Sequence, residues 1–392
     1  MNDPIKRTRV IIWGSSTGIW NSIHNTINPF VTEIVGFIDS DPYKQGLIYH
    51  GLPIKSISEW DYSDIDFVLI AAYSGMQSIR KQLREIGIPD KKVAPCLSEG
   101  LINYYVGDIT DMNWKDTLKL FFEPDKLEEI TREYIRLSKE YDMIEPFSID
   151  PEHWCYGKHL ISHACGGYVN GRPLMYTNSK EALTYTLQAG FDLMECDVCR
   201  MPNGEWYLAH DCCDLNRAIE EGYTTISLTE LIMALSHNPD ISCLIDVKWK
   251  DPWEYEDFVI ALNKIIVDHS DDNGLKNRLI LEVYDEETIQ IADNYGYEMF
   301  YTEYRNPEKD CFMKTAILCK KYDILVVGMG RKHYFDSQNR ISIYRNKGLI
   351  TYVFSIDAPE EYSRLRESGV YGTFTNTLRK DRITIESCSP KM

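Results

Sequence analysis

No apolar run in the sequence approaches the ~18 residues needed to cross a bilayer as a helix. A membrane-spanning role is therefore not expected. A basic excess is also missing. Lys and Arg number 42 against 60 Asp and Glu, which leaves a formal charge of −18. Such a surface repels phosphate backbones and anionic lipid, so neither nucleic acid nor a membrane surface is an expected partner. The opening residues lack the shape of a signal peptide and lead straight into a strand-like run at Val10–Trp13. The 11 cysteines are odd in number and irregular in spacing, as expected of reduced thiols in a cytoplasmic protein. No repeat of 20–50 residues is present.

The 392 residues, 44% hydrophobic and 26% charged, have an ordinary globular composition. At roughly 100–200 residues per domain, they make two or three domains. Residues 1–97 alternate short apolar strands with helical patterns, which predicts a small parallel sheet. The strand candidates are Arg9–Trp13, Glu33–Ile38 and Asp66–Ala72, and a helix is expected at Gln77–Ile86. The turn from Gly14 to Gly18 has the glycines to present backbone N–H groups to a phosphate, and Asp39 ends the second strand where a ribose-binding acid often sits. Gly14, Gly18 and Asp39 are thus the candidate contacts for a nucleotide or sugar-nucleotide. The glycine pattern is incomplete, which argues against a dinucleotide-dependent oxidoreductase. The alternative is a sheet that binds nothing and serves for docking.

Residues 98–157 read as a helical connector. Leu127, Ile130, Tyr134 and Ile135 recur at near-helical spacing along Pro124–Tyr141. Residues 158–392 alternate again, for longer. Strands are expected at Leu160–Ala164, Leu193–Val198, Cys243–Val247, Leu279–Val283, Met299–Thr302, Ile324–Val327, Ile350–Phe354 and Gly372–Phe374. These eight fit a (β/α)₈ TIM barrel, whose usual length is about 250 residues. The predicted fold is therefore α/β: a TIM barrel preceded by a small parallel-sheet domain, Rossmann-like by the resemblance given below, and the connector.

Such barrels carry their chemistry at the C-terminal ends of the strands. His163, Glu195, Asp197, Asp246, Lys248 and Glu282 all lie at or near predicted strand ends. Glu195 and Asp197 are two apart on one strand, so they share a face, and Cys196 points away. Two close carboxylates repel each other unless a cation intervenes. With Asp246 from the next strand they form a hard oxygen set suited to Mg²⁺ or Ca²⁺. The odd offset of Cys196 and Cys199 opposes a zinc site with Cys212 and Cys213. Two further features frame the acids. Gly166 and Gly167 follow His163 and would let backbone approach a ligand. A two-residue turn at Asn203-Gly204 would bring His210 back beside Glu195 and Asp197. His163 and His210 then make a candidate acid–base pair.

In the N-terminal stretch, Gly36–Asp41 followed by Gly51–Ile54 resembles the small Rossmann-like domains of sugar-modifying acyltransferases and related polysaccharide-biosynthesis proteins. The longer stretch carries, in order, His163–Gly167, Tyr176–Ala182, Gly190–Val198, Asn203-Gly204, His210-Asp211, Ile245–Lys248 and Gly369–Thr375. It resembles the glycerophosphodiester phosphodiesterase family, within the larger group that includes phosphatidylinositol-specific phospholipases C. The resemblance implies that Glu195, Asp197 and Asp246 hold a metal, that His163 and His210 are catalytic, and that Lys248 contacts phosphate. It implies a small-molecule phosphodiester as substrate. This chain departs from the family at Ala164, where an arginine is usual, at Asp246, where glutamate is usual, and at Asn376, where aspartate is usual. These departures leave a non-catalytic binding barrel as the rival reading.

Overall fold

The computed structural model describes residues 7–16, 20, 27–71, 76–96, 119–122, 124–169, 172–248, 252–269, 274–303, 312–331 and 338–379. The chain divides into two compact units. One comprises residues 1–143, 305–315 and 335–340, and the other comprises residues 144–304, 316–334 and 341–392.

The first unit holds a six-stranded sheet. Its strands are β1 (Thr8–Trp13), β2 (Thr32–Ile38), β3 (Ile48–Tyr49), β4 (Leu52–Lys55), β5 (Phe67–Ile70) and β6 (Val93–Pro95), in the order β3-β4-β2-β1-β5-β6. The sheet's central strands are apolar runs that bury Val10, Ile11, Ile12, Phe37, Ile38, Leu69 and Ile70. That is the pattern of parallel strands covered on both faces. The sheet is mixed, not wholly parallel, because β3 pairs with β4 antiparallel. The hairpin turns on His50 and Gly51, both with positive φ, as a two-residue primed turn requires. Strands this short and exposed leave no periodic signal. The helix Pro124–Asp142 also falls in this unit. Leu137, not Ile135, occupies its buried position, and Ile135 is exposed. The stripe thus runs 127, 130, 137, and 135 lies off it.

The second unit is a closed parallel barrel with β7 (Leu160–Ser162), β10 (Leu193–Arg200), β12 (Ser242–Lys248), β13 (Leu279–Val283), β14 (Glu298–Glu303), β15 (Val326–Gly330), β16 (Ile350–Phe354) and β17 (Gly372–Thr375) as its staves. The register Met194↔Ser162 closes the ring. Two small hairpin strands, β8 (Tyr168–Val169) and β9 (Arg172–Pro173), follow β7, and β11 (Trp206–Leu208) pairs antiparallel with β10. Helices between the staves begin at residues that satisfy their free N–H groups. Ser227 and Glu230 form a reciprocal cap, Asp285 and Thr288 another, and Pro359 opens Pro359–Glu367.

The barrel core is one buried cluster that includes Ile161, Leu193, Leu244, Ile280, Phe300, Val326, Tyr352 and Phe374. Side chains two residues further along a strand share its face. From Leu193, that step reaches Glu195 and then Asp197. From Leu244 it reaches Asp246 and then Lys248. Ile280 leads to Glu282, Phe300 to Thr302, Ile161 to His163 and Phe374 to Asn376. The apolar floor and the polar mouth are thus successive layers on the same staves. Among the described residues, no helix is long and apolar enough to cross a membrane.

Candidate active site

Glu195 and Asp197 are both buried, and Asp197 lies level with Asp246 on the neighbouring stave. Each of the three offers a carboxylate oxygen, and these oxygens all lie within 4.8 Å of one another. Burial, joined by repulsion from Asp197, Glu282 and Asp246, pushes the Glu195 carboxyl well above the usual range. Burial also raises Glu282, with Asp246 adding to the effect. Burial opposes ionisation of Asp197 too, but Lys248 and Asn178 outweigh it and hold that carboxyl below its ordinary value.

Each acid is held by named groups. The backbone N–H of Ala164 donates to Glu195 Oε2 at 2.6 Å. Ala164 and Cys165 both adopt positive φ there, 48° and 52°. Two successive non-glycine residues in that region store strain of about 1–3 kcal/mol each. Asn178 clamps Asp197 at two points: its Nδ2 donates to Oδ2 at 2.9 Å, and its Oδ1 accepts the Asp197 N–H at 3.1 Å. Lys248 Nζ lies 2.9 Å from Asp197 Oδ1 and also donates to Asp246. Tyr284 donates to Asp246, and Thr302 to Glu282 at 2.8 Å. Among the described residues, Glu195, Asp197, Asp246 and Glu282 thus share the barrel mouth with the Lys248 ammonium. A hard divalent cation fits that donor set and that charge excess.

His163 lies beside these acids. Burial lowers its pKa, while Asp197 and a hydrogen bond with Asn376 pull the other way. Its Nδ1 is 3.0 Å from Asn376 Oδ1, and its ring meets Tyr176 edge-on at 5.1 Å. Tyr176 has a φ of 63° and is exposed.

The structure brings Glu195, Asp197, Asp246 and Lys248 together, with His163 near enough for the Asp197 charge to raise its pKa. His210 is placed differently. The N–H of its neighbour Ala209 bonds the Asp197 carbonyl at 3.0 Å, so the backbone does return to this strand. The His210 side chain is 54% exposed, and its Nδ1 is 3.9 Å from Asp214 Oδ2. The hairpin before it is not a two-residue turn. Arg200 pairs with Trp206, and Met201 N–H bonds Glu205 O, so Pro202, Asn203 and Gly204 make the reversal.

Other expectations also change. A Cβ on Gly167 would lie 2.2 Å from the Tyr185 ring, and one on Gly166 would lie 2.7 Å from the His163 carbonyl. At these glycines the Tyr185 ring and the His163 carbonyl pack where a Cβ would stand. Cys196 Sγ lies 3.6 Å from Cys243 Sγ. Among the described residues, neither group able to hold a metal contains a cysteine. In the first unit, Asp39 Oδ2 accepts from Ser15 N–H at 3.2 Å, Ser15 Oγ at 2.5 Å and Lys44 Nζ at 3.0 Å. Gly14 takes a φ of 115° beside it. Gly18 lies outside the described residues. Pattern reading gave Asn178 and Tyr284 no role of their own. Tyr284 carries a signal in hindsight, two residues beyond Glu282. The left-handed Ala164 carries none.

Residues 6–94 match the family model described as C2185-like, N-terminal. No curated protein matches the sequence. Among solved structures, the chain is similar to a glycerophosphodiester phosphodiesterase from Parabacteroides distasonis, at 14% identity and a TM-score of 0.45, over 56% of this chain and 92% of that one. A glycerophosphodiester phosphodiesterase from Thermotoga maritima gives 17% and 0.42, over 55% and 93%. An Oleispira antarctica phosphodiesterase in complex with the product sn-glycerol-3-phosphate gives 14% and 0.43, over 56% and 92%. Likenesses of this size assign no activity to the chain.

Proposed function

We propose that the barrel is a metal-dependent phosphodiesterase acting on a small phosphodiester of glycerophosphodiester type. One observation carries the reading: carboxylate oxygens of Glu195, Asp197 and Asp246 lie within 4.8 Å of one another at the barrel mouth, with His163 close enough to feel the Asp197 charge. The order of motifs in the sequence supports it.

The three carboxylates would hold the cation, Mg²⁺ or Ca²⁺. When bound, it would polarise a non-bridging phosphoryl oxygen and offset the charge that develops there. Ala164 N–H and Asn178 orient Glu195 and Asp197 for that task. Lys248 supplies the ammonium nearest the acids and is the proposed phosphate contact. His163 moves a proton to or from the reacting oxygens, and His210 is the proposed partner for the opposite transfer. Such transfers are typically worth ~10²–10⁴ in rate each. The substrate class we favour is a glycerophosphoryl sugar or nucleotide-linked polyol of a glycan pathway, met in the cytoplasm. It rests on the resemblance of the N-terminal stretch to proteins of polysaccharide biosynthesis. A nucleotide or sugar-nucleotide at Gly14, Gly18 and Asp39 belongs to the same proposal. It would have to displace Ser15 and Lys44 from Asp39.

The test is a diester panel with Mg²⁺ or Ca²⁺, read by phosphorus NMR. Cleavage by the wild type and its loss in Glu195→Gln, His163→Ala and His210→Ala are expected. Unchanged rates in all three variants would overturn the mechanism. A second reading, a barrel that binds without cleaving, draws on the Lys248 ammonium already lying across Asp197 and Asp246. Under that reading no diester is cleaved and divalent ions do not bind at Glu195.

A further inference from the structure

We propose that Asn376 and Asp357 are a positioning pair that fixes the proton of His163 on Nδ1 and leaves Nε2 as its unprotonated nitrogen. The assignment of a reaction to that nitrogen rests on the phosphodiesterase reading. The tautomer itself does not.

Asp357 follows β16, and its carboxylate accepts three bonds. Thr375 Oγ1 and Asn376 N–H reach Oδ1 at 3.0 and 2.6 Å, and Asn376 Nδ2 reaches Oδ2 at 2.8 Å. An ionised carboxylate only accepts. The amide of Asn376 must therefore turn its NH₂ towards Asp357 and its oxygen towards the other side. On that other side lies His163 Nδ1, 3.0 Å from Oδ1. An amide oxygen only accepts, so Nδ1 must carry the hydrogen. A neutral imidazole has a single N–H, and Nε2 is left bare.

Three observations hold the arrangement in place. Asn376 is 5% exposed, so it cannot exchange these partners freely for water. Thr375 pairs with Ser162 across β17 and β7, which sets Asn376 level with His163. Ser355 Oγ, the other group at Nδ1, lies at 3.1 Å and accepts from the same N–H. Its own hydrogen is then free for Tyr176, with which it is hydrogen-bonded. Both neighbours of Nδ1 are thus satisfied by one tautomer. In that tautomer Nε2 can accept a proton without any rearrangement, and Asp357 lies one amide away from the imidazolium that results.

The tautomer is read directly from two-bond ¹H–¹⁵N correlations of protein labelled at histidine, with His163 identified by its loss in His163→Gln. The wild type is expected to show the Nδ1–H pattern. Asp357→Asn places an N–H donor where Oδ2 was. The Asn376 amide should then turn over and offer its NH₂ to Nδ1, and His163 should change to the Nε2–H pattern. The double variant D357N/N376D returns a carboxylate to the ring side and should restore Nδ1–H. An Nε2–H pattern in the wild type, or no change in D357N, overturns the proposal. If D357N fails to fold, the wild-type spectrum decides by itself. Where a cleaved diester is in hand, D357N should lower kcat on the order of 10²–10⁴-fold, the range of general acid–base work, with KM little changed. The expected tautomers without cleavage of any diester would overturn the function and leave this inference standing. Cleavage with the opposite tautomer would do the reverse.

Discussion

A single residue, Lys248, sets the electrostatic balance of the barrel mouth. Its ammonium bridges Asp197 and Asp246, while Glu195 and Glu282 have only neutral donors among the bonds described. Removing one partner of a buried charge cluster leaves the others uncompensated, at a cost of about 3–5 kcal/mol. Lys248→Met should therefore lower Tm without added metal and increase the gain in Tm on adding Mg²⁺ or Ca²⁺. An equal gain in variant and wild type would show that Lys248 and the cation do not share these acids. Glu195→Gln should reduce divalent affinity, read by calorimetric titration, and reduce cleavage at least ~10²-fold.

At the scale of elements, Asp39 at the end of β2 holds Ser15 just after β1. Burial works against its ionisation, but Ser15, the Asp41 N–H and Lys44 prevail, and the carboxyl sits below its usual 3.8. A depressed carboxyl contributes stability above the unfolded value of 3.8, and that stability is lost as pH falls through the lower folded value. Asp39→Asn should cost about 1.5–3 kcal/mol at pH 7, the range for hydrogen bonds to a charged group. Denaturant unfolding at pH 7 and again below pH 3 checks this, since the difference between variant and wild type should shrink in acid. The barrel staves offer a second case. A Cβ on Gly328 in β15 would lie 2.3 Å from the Phe300 ring of β14. Gly328→Ala should destabilise the protein by about 1–3 kcal/mol, as overpacked cores do.

For the whole molecule, a bound ion and the fold are linked. A cation that binds the assembled mouth and not the unfolded chain stabilises by about 2.7 kcal/mol at a hundred times its Kd. Thermal unfolding with and without Mg²⁺ or Ca²⁺ should show that shift in the wild type and lose it in E195Q. An equal shift in both would place the ion elsewhere, and the exposed group His210, Asp211 and Asp214 is the other one described.

The mostly apolar runs at Leu279–Val283 and Ile350–Phe354 marked their staves to the residue, because a strand covered on both faces is apolar at most of its positions. Period two was enough to put Glu195 and Asp197 on one face, because that alternation is local geometry and needs no partner, whereas Asp246 comes level with Asp197 only through the pairing of the two strands. Partner choice was not legible. Lys248 turns to Asp197 and Asp246, the Ala164 N–H reaches Glu195, His210 faces Asp214, and the Asn376 amide points its oxygen at His163. Each of these depends on distances between atoms, most of them on segments separated by tens to hundreds of residues. Only closure of the barrel brings such segments together.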